Sequence, residues 1–100
     1  MSIALIGHFR VPVDKLDEAR PLMRKLVEAT RQEVGCIQYN FAEDLLDPGL
    51  IRISEIWETR ENLAGHVQSP HVQEWGGQRD GVGVHGRDID ILTVAASEKL

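Results

Sequence analysis

LIRISEIWETRENLAGHVQSPHVQEW, residues 50–75, is the stretch that decides how this chain folds. Its first part, Leu50 to Glu58, alternates with a period of two. Ile51, Ile53, Glu55 and Trp57 fall on one face, and Arg52, Ser54 and Ile56 fall on the other, which predicts a strand. Thr59 then offers a helix cap, and Leu63, His66 and Val67 gather on one side of the short helix that follows. Ser69-Pro70 reads as a second cap with proline at the first helical position, where its missing N–H is no loss. This second helical piece carries Val72 and Trp75.

Upstream, Asp47-Pro48-Gly49 is a turn signal, since proline fixes one dihedral and glycine supplies the positive one. The strand it joins to Leu50 is Cys36 to Ala42, with Ile37, Tyr39 and Phe41 on one face. Further back, Ile3 to Val13 reads as the first strand, closed near Pro12, which cannot donate to a ladder. Asp14 is placed to cap the next helix. Leu16, Ala19, Met23, Leu26, Val27 and Thr30 form its apolar stripe, and Pro21 predicts a kink or an irregular first turn. Gly35 ends that helix in a left-handed conformation. Downstream, Gly76-Gly77 stops the split helix, and Gly76 to Gly86 holds five of the nine glycines, which predicts a flexible loop. Asp88 to Ala95 is the last strand. The order is strand, helix, strand, strand, split helix, strand. This is the α+β, ferredoxin-like βαββαβ plan, with helices over one face of an antiparallel sheet. We expect one domain over residues 1–100, with its core at about 3–95.

Composition narrows the function. Sixteen acidic residues against 11 basic ones give a net charge of −5, with no run of Lys or Arg. No nucleic-acid footprint and no polybasic membrane patch is visible. The start, MSIALIGHFRV, reads as a strand rather than a signal peptide, no apolar run approaches a membrane span, and Cys36 has no disulfide partner. A cytoplasmic protein is the simplest expectation. Both faces of the Leu50–Glu58 strand carry apolar residues, so the sheet face away from the helices calls for a cover. Face-to-face packing of two copies as a dimeric α+β barrel provides one.

The segment from Ile53 to Trp75 resembles the signature stretch of the antibiotic biosynthesis monooxygenase family. The matching features are Glu55-x-Trp57 at a strand end, His66 nine residues after the tryptophan, Ser69-Pro70-His71, and Trp75. EVGCIQY at Glu33 to Tyr39 and the DPG turn agree with it. The resemblance implies a homodimeric barrel with a small-molecule pocket between sheet and helices in each subunit. It also implies oxygenation without flavin, metal or haem, the substrate itself reducing O2. Several oxygenase members carry Asn four residues before the tryptophan and another on the first strand. This sequence has Ile53 at the first position and Gly7 or His8 at the second.

Each candidate residue has a functional and a structural reading. Glu55 on a helix-covered face must be paired, protonated or lining a cavity, and desolvation would make it a better base. Alternatively it pairs with an arginine or a helix end. His66 points inward, as a base near neutrality or as a buried tie from helix to sheet. Trp57 and Trp75 are pocket walls or core. His71 closes the pocket mouth or caps its helix, and His8 has no fixed facing. His66 and His71 are five apart with a proline between, and His85 lies in a loop. That is no metal-site spacing. The expected function is a cofactor-independent monooxygenase of a quinol- or anthrone-like molecule. Glu55 and His66 would be the bases, and Trp57, His71, Trp75, His8 and Ile53 the substrate contacts. An isomerase of a small carbonyl compound or a phosphorylated signalling sugar, or a non-catalytic binding module, would use the same pocket without oxygen.

Overall fold

A computed structural model describes residues 1–100. The Asp47-Pro48-Gly49 turn closes the central hairpin. Gly49 takes a φ of +88°, and a Cβ there would strike the Val11 carbonyl, so glycine is required on two counts. The hairpin joins β2 (Cys36–Glu43) to β3 (Leu50–Trp57), with Tyr39 opposite Glu55 and Phe41 opposite Ile53. On its other side β3 pairs with β1 (Ile3–Arg10), and β1 pairs with the edge strand β4 (His85–Thr93). The order is β2-β3-β1-β4, antiparallel throughout, which is the ferredoxin-like arrangement.

The helices are α1 (Leu16–Thr30), α2 (Arg60–Val67) and α3 (Pro70–Gln78). Leu16, Ala19, Met23, Leu26 and Thr30 of α1 are buried, as the stripe predicts, and the first four share one core cluster with Ile51, Ile53 and Trp57 of β3. Thr59 caps α2 through a bond from Asn62 N–H at 3.0 Å. No helix is long and apolar enough to cross a membrane.

Several local expectations are corrected. Asp14 does not cap α1, because Pro12 starts a 3₁₀ turn over Val13–Lys15 that enters the helix directly. The kink or irregular turn expected at Pro21 is absent, and α1 runs unbroken through the proline. Ile37 leaves the Tyr39–Phe41 face. A bulge between Cys36 and Gln38 makes it the extra residue, and it is exposed. Gly76 and Gly77 do not stop α3. Each glycine costs a helix roughly 1 kcal/mol, but burial of Trp75 and the well-placed Pro70 outweigh that local preference. The loop therefore shortens to residues 79–84, pinned by buried Val82, and β4 begins at His85 and ends at Thr93.

The face of the sheet away from the helices bears Ala4, Ile6 and His8 of β1, Ser54 and Ile56 of β3, and Leu92 of β4. Ile6 is 54% exposed and Leu92 is 47% exposed.

Candidate functional site

Between the helices and the sheet lies a cavity of about 330 Å³. Four of the five aromatic residues of the chain, Phe9, Tyr39, Phe41 and Trp75, line it. They pack on one another as well as on the space. Phe9 and Phe41 meet edge to face at 5.5 Å, and Phe9 and Trp75 lie 6.0 Å apart between centroids. Such walls suit a flat, apolar ligand. Ile53, Glu55 and His66 also line the cavity, so β3 and α2 deliver three of the predicted residues to one space.

Glu55 is only 5% exposed. The indole N–H of Trp57 donates to its Oε1 at 3.0 Å, leaving Oε2 without a bond inside the protein. Desolvation pushes the Glu55 carboxyl up from its ordinary value, and the Trp57 bond and the nearby His66 and Arg87 oppose that rise. A carboxylate moved toward neutrality is a stronger proton acceptor than a solvated one. Trp57, fully buried, does not line the cavity. It stands behind Glu55 and fixes it, so its reading as a pocket wall is corrected. Its other reading from sequence, a core residue, is the one that holds.

His66 does not tie its helix to sheet backbone. Its Nδ1 lies 2.6 Å from Oε2 of Glu33, a residue just after α1. His71 Nε2 reaches the same oxygen at 2.8 Å. A carboxylate only accepts, so both imidazoles donate and their tautomers are set. For His66 the proton on Nδ1 is the one given to Glu33, and Nε2 has no partner in the protein. Ser69 donates its hydroxyl to the His66 carbonyl at 2.6 Å and stands 3.1 Å from the same His71 nitrogen. One nitrogen cannot accept the serine proton while donating to Glu33, so this is no nucleophile triad.

The sequence reading treated His66 and His71 as unrelated, and the structure corrects that. On a continuous helix residues five apart face away from each other. The break between α2 and α3 at Gln68–Ser69 resets the direction, and both rings converge on Glu33. These three side chains are the grouping able to hold a metal ion, with ligand atoms within 4.8 Å of one another. Two hydrogen bonds already account for their closeness, since ligands of one tetrahedral zinc stand about 3.3 Å apart.

The other candidates divide. Trp75 and Ile53 line the cavity, whereas His71 stands outside it behind His66. His8 is opposite Arg52 and Asp88 on the far face of the sheet, away from the cavity. Val67 is 48% exposed yet still contributes to the wall. Sequence reasoning missed Tyr39, Glu33, Arg79 and Arg87 as site residues. Tyr39 was legible, because it faces Glu55 across the hairpin in register. Burial pushes its hydroxyl far up, so it remains a neutral donor. Arg79 follows Trp75 by one helical turn, a signal hidden by the expectation that α3 stops at Gly76. Cys36, its thiol also pushed up by burial, does not line the cavity.

The chain matches known proteins along its length. A curated relative, an uncharacterised protein of Synechocystis, is 30% identical over 98 residues, covering 98% of this chain and 67% of that protein. A candidate antibiotic biosynthesis monooxygenase from Deinococcus radiodurans superposes with a TM-score of 0.90 at 26% identity, over 100% of this chain and 98% of that one. A protein from Mycobacterium tuberculosis superposes with a TM-score of 0.87 at 24% identity, over 99% and 100% of the two chains, a likeness of fold. The family model described as antibiotic biosynthesis monooxygenase matches residues 2–78, which hold β1 to α3 and all of the Glu33, Glu55 and His66 constellation. The chain belongs to the antibiotic biosynthesis monooxygenase family.

Proposed function

We propose that this protein is a cofactor-independent monooxygenase of a small aromatic quinol or anthrone. The observation that carries the reading is a cavity walled by aromatic side chains and furnished with two proton acceptors, Glu55 Oε2 and His66 Nε2. A phenolic or benzylic proton passes to one of them, and the aromatic walls hold the resulting anion flat. That electron-rich carbanion or phenolate gives one electron to O2, and the superoxide and substrate radical combine at carbon. Proton return to the peroxide and loss of water leave a new carbonyl oxygen. Substrate plus O2 thus gives oxygenated product plus water, with all four electrons that reduce O2 drawn from the substrate. Glu33 positions His66 through Nδ1, and Trp57 positions Glu55. The protein's part is orientation and a dry, basic site.

The same reading makes the protein a homodimer whose subunits meet through the Ile6, Ile56 and Leu92 face of the sheet. Exposed isoleucine and leucine on a sheet face favour that cover. An oxygen electrode tests the reaction, using metal-stripped protein and a panel of hydroquinones and anthrones. We expect uptake above autoxidation, stoichiometric with substrate, falling about a hundredfold in Glu55→Gln. Solvent deuterium exchange into a carbonyl compound with no oxygen uptake would instead make the protein an isomerase.

A further inference from the structure

Five basic side chains, Arg10, Lys15, Arg20, Lys25 and Arg52, sit in ion pairs with carboxylates on the surface. The two arginines that line the cavity, Arg79 and Arg87, have neither an ion pair nor a side-chain hydrogen bond. Arg24, Arg60 and Lys99 are likewise unpaired, but they do not line the cavity, and it is a place on its wall that sets Arg79 and Arg87 apart. The only acidic residue lining the same space is Glu55. Two elements supply the arginines. Arg79 sits at the end of α3, one turn beyond Trp75, and Arg87 sits on β4, two residues before Ile89 on the same face. The charge of Arg87 reaches inward far enough to favour ionised Glu55 and Tyr39.

Position matters as much as charge. Glu55 is level with Leu5, and Leu5 is level with Ile91 on β4. Arg87 is therefore two strands across and four residues along from the base, on the order of 10 Å by 13 Å between backbones. Long side chains shorten that gap to the length of a fused aromatic molecule. A cation at one end and a base at the other fit a ligand with an anionic group remote from the hydroxyl that loses its proton.

We infer that the cavity takes an aromatic or quinone-like molecule bearing an oxyanion, with the ring among Phe9, Tyr39, Phe41 and Trp75 and the oxyanion on Arg79 and Arg87. This rests on the reading of the cavity as the substrate site, and it does not depend on whether the reaction uses oxygen. A carboxylate and a phosphate monoester share this chemistry, since each accepts forked bonds from guanidinium groups.

Calorimetric titration under nitrogen tests it with three probes on one ring system, each anion placed across the rings from the hydroxyl: 1-naphthol, 5-hydroxy-1-naphthoate and 5-hydroxy-1-naphthyl phosphate. At low salt at least one anion should bind tenfold or more tightly than 1-naphthol, and which one identifies the oxyanion. The advantage should shrink as salt is raised. Arg79→Gln and Arg87→Gln should each weaken the anion several-fold, and together erase its advantage, while 1-naphthol is unchanged. Gly76→Leu locates the site. Gly76 lines the cavity and a Cβ there meets nothing within 4 Å, so the larger side chain is accommodated at the wall and should weaken binding of all three. Equal affinity for 1-naphthol and the anions, or an anion preference that survives the double substitution, overturns the inference. So does a lack of binding by every probe. Oxygen uptake with neutral quinols alone would then leave the oxygenase reading standing, whereas anion binding without any uptake would remove that reading and keep this one.

Discussion

Glu33→Gln isolates the network that sets His66. In the parent, one carboxylate oxygen accepts from His66 at 2.6 Å and from His71 at 2.8 Å. Hydrogen bonds to a charged partner contribute about 1.5–3 kcal/mol and neutral ones about 0.5–1.5 kcal/mol. Glutamine can present its carbonyl oxygen to the same two donors, so each bond weakens by roughly 1 kcal/mol rather than vanishing. The Glu33 side chain is 18% exposed, and solvent shares part of its charge, which argues for the lower end of the sum. The expected loss is about 1–2 kcal/mol. For a domain of this size that lowers Tm by roughly 5–15 °C. Glu33→Ala leaves both N–H groups without a partner and should cost about 2–4 kcal/mol. The functional consequence is separate from the thermal one. In Glu33→Ala, with no acceptor at Nδ1, the His66 ring populates both tautomers, and turnover should fall tenfold or more. Thermal melts give the first number. Nitrogen-15 spectra of labelled histidine give the tautomer directly, with the Nδ1–H form dominant in the parent and in Glu33→Gln and a mixture in Glu33→Ala. If Glu33→Ala melts within a degree of the parent and keeps the Nδ1–H form, Glu33 neither stabilises nor orients His66, and the dyad must be abandoned.

Other consequences follow from single contacts. The folded-state carboxyl of Glu55 is pushed up, so the folded chain holds that proton more tightly than the unfolded one. Its contribution to stability is therefore present at low pH and lost as pH rises through the folded value. Glu55→Gln should raise stability at pH 8 by about 1 kcal/mol, with the gain shrinking toward pH 4; a gain that grows on acidification contradicts the sign. Thr30 is fully buried and its hydroxyl has no partner, so Thr30→Val, similar in shape, should stabilise by up to about 1 kcal/mol in chemical denaturation. A measured loss would mean the hydroxyl is bonded after all. Light scattering at micromolar concentration should give about twice the 11.2 kDa chain mass, and Ile6→Lys with Ile56→Lys should halve it; a monomeric parent rules out the barrel.

Much of this protein is written in short-range pattern. The period-two alternation of β3 placed Ile51, Ile53, Glu55 and Trp57 on the helix side, and burial of all four follows from it. Asp47-Pro48-Gly49 is legible because a positive φ leaves glycine little competition, whereas Gly35 takes its positive φ not as the end of α1, which stops at Thr30, but in the turn before β2. The inward turn of His66 followed from its place beside Leu63. Local rules failed where a tertiary contact outweighed them. Trp75, anchored in the core, carries α3 through two glycines that propensity alone would make a stop, and so brings Arg79 to the cavity. The bulge at Ile37 is a matter of pairing with β3, which no alternation within β2 reveals. Glu33 and His66 are 33 residues apart, and His71 lies on another helix still. Each looks like an ordinary polar residue in its own segment. Only when α1 and the broken α2–α3 pair pack on one sheet do a carboxylate and two imidazoles fall within hydrogen-bond reach. A pairwise distance of that kind is set by the sum of the packing, not by any window of sequence.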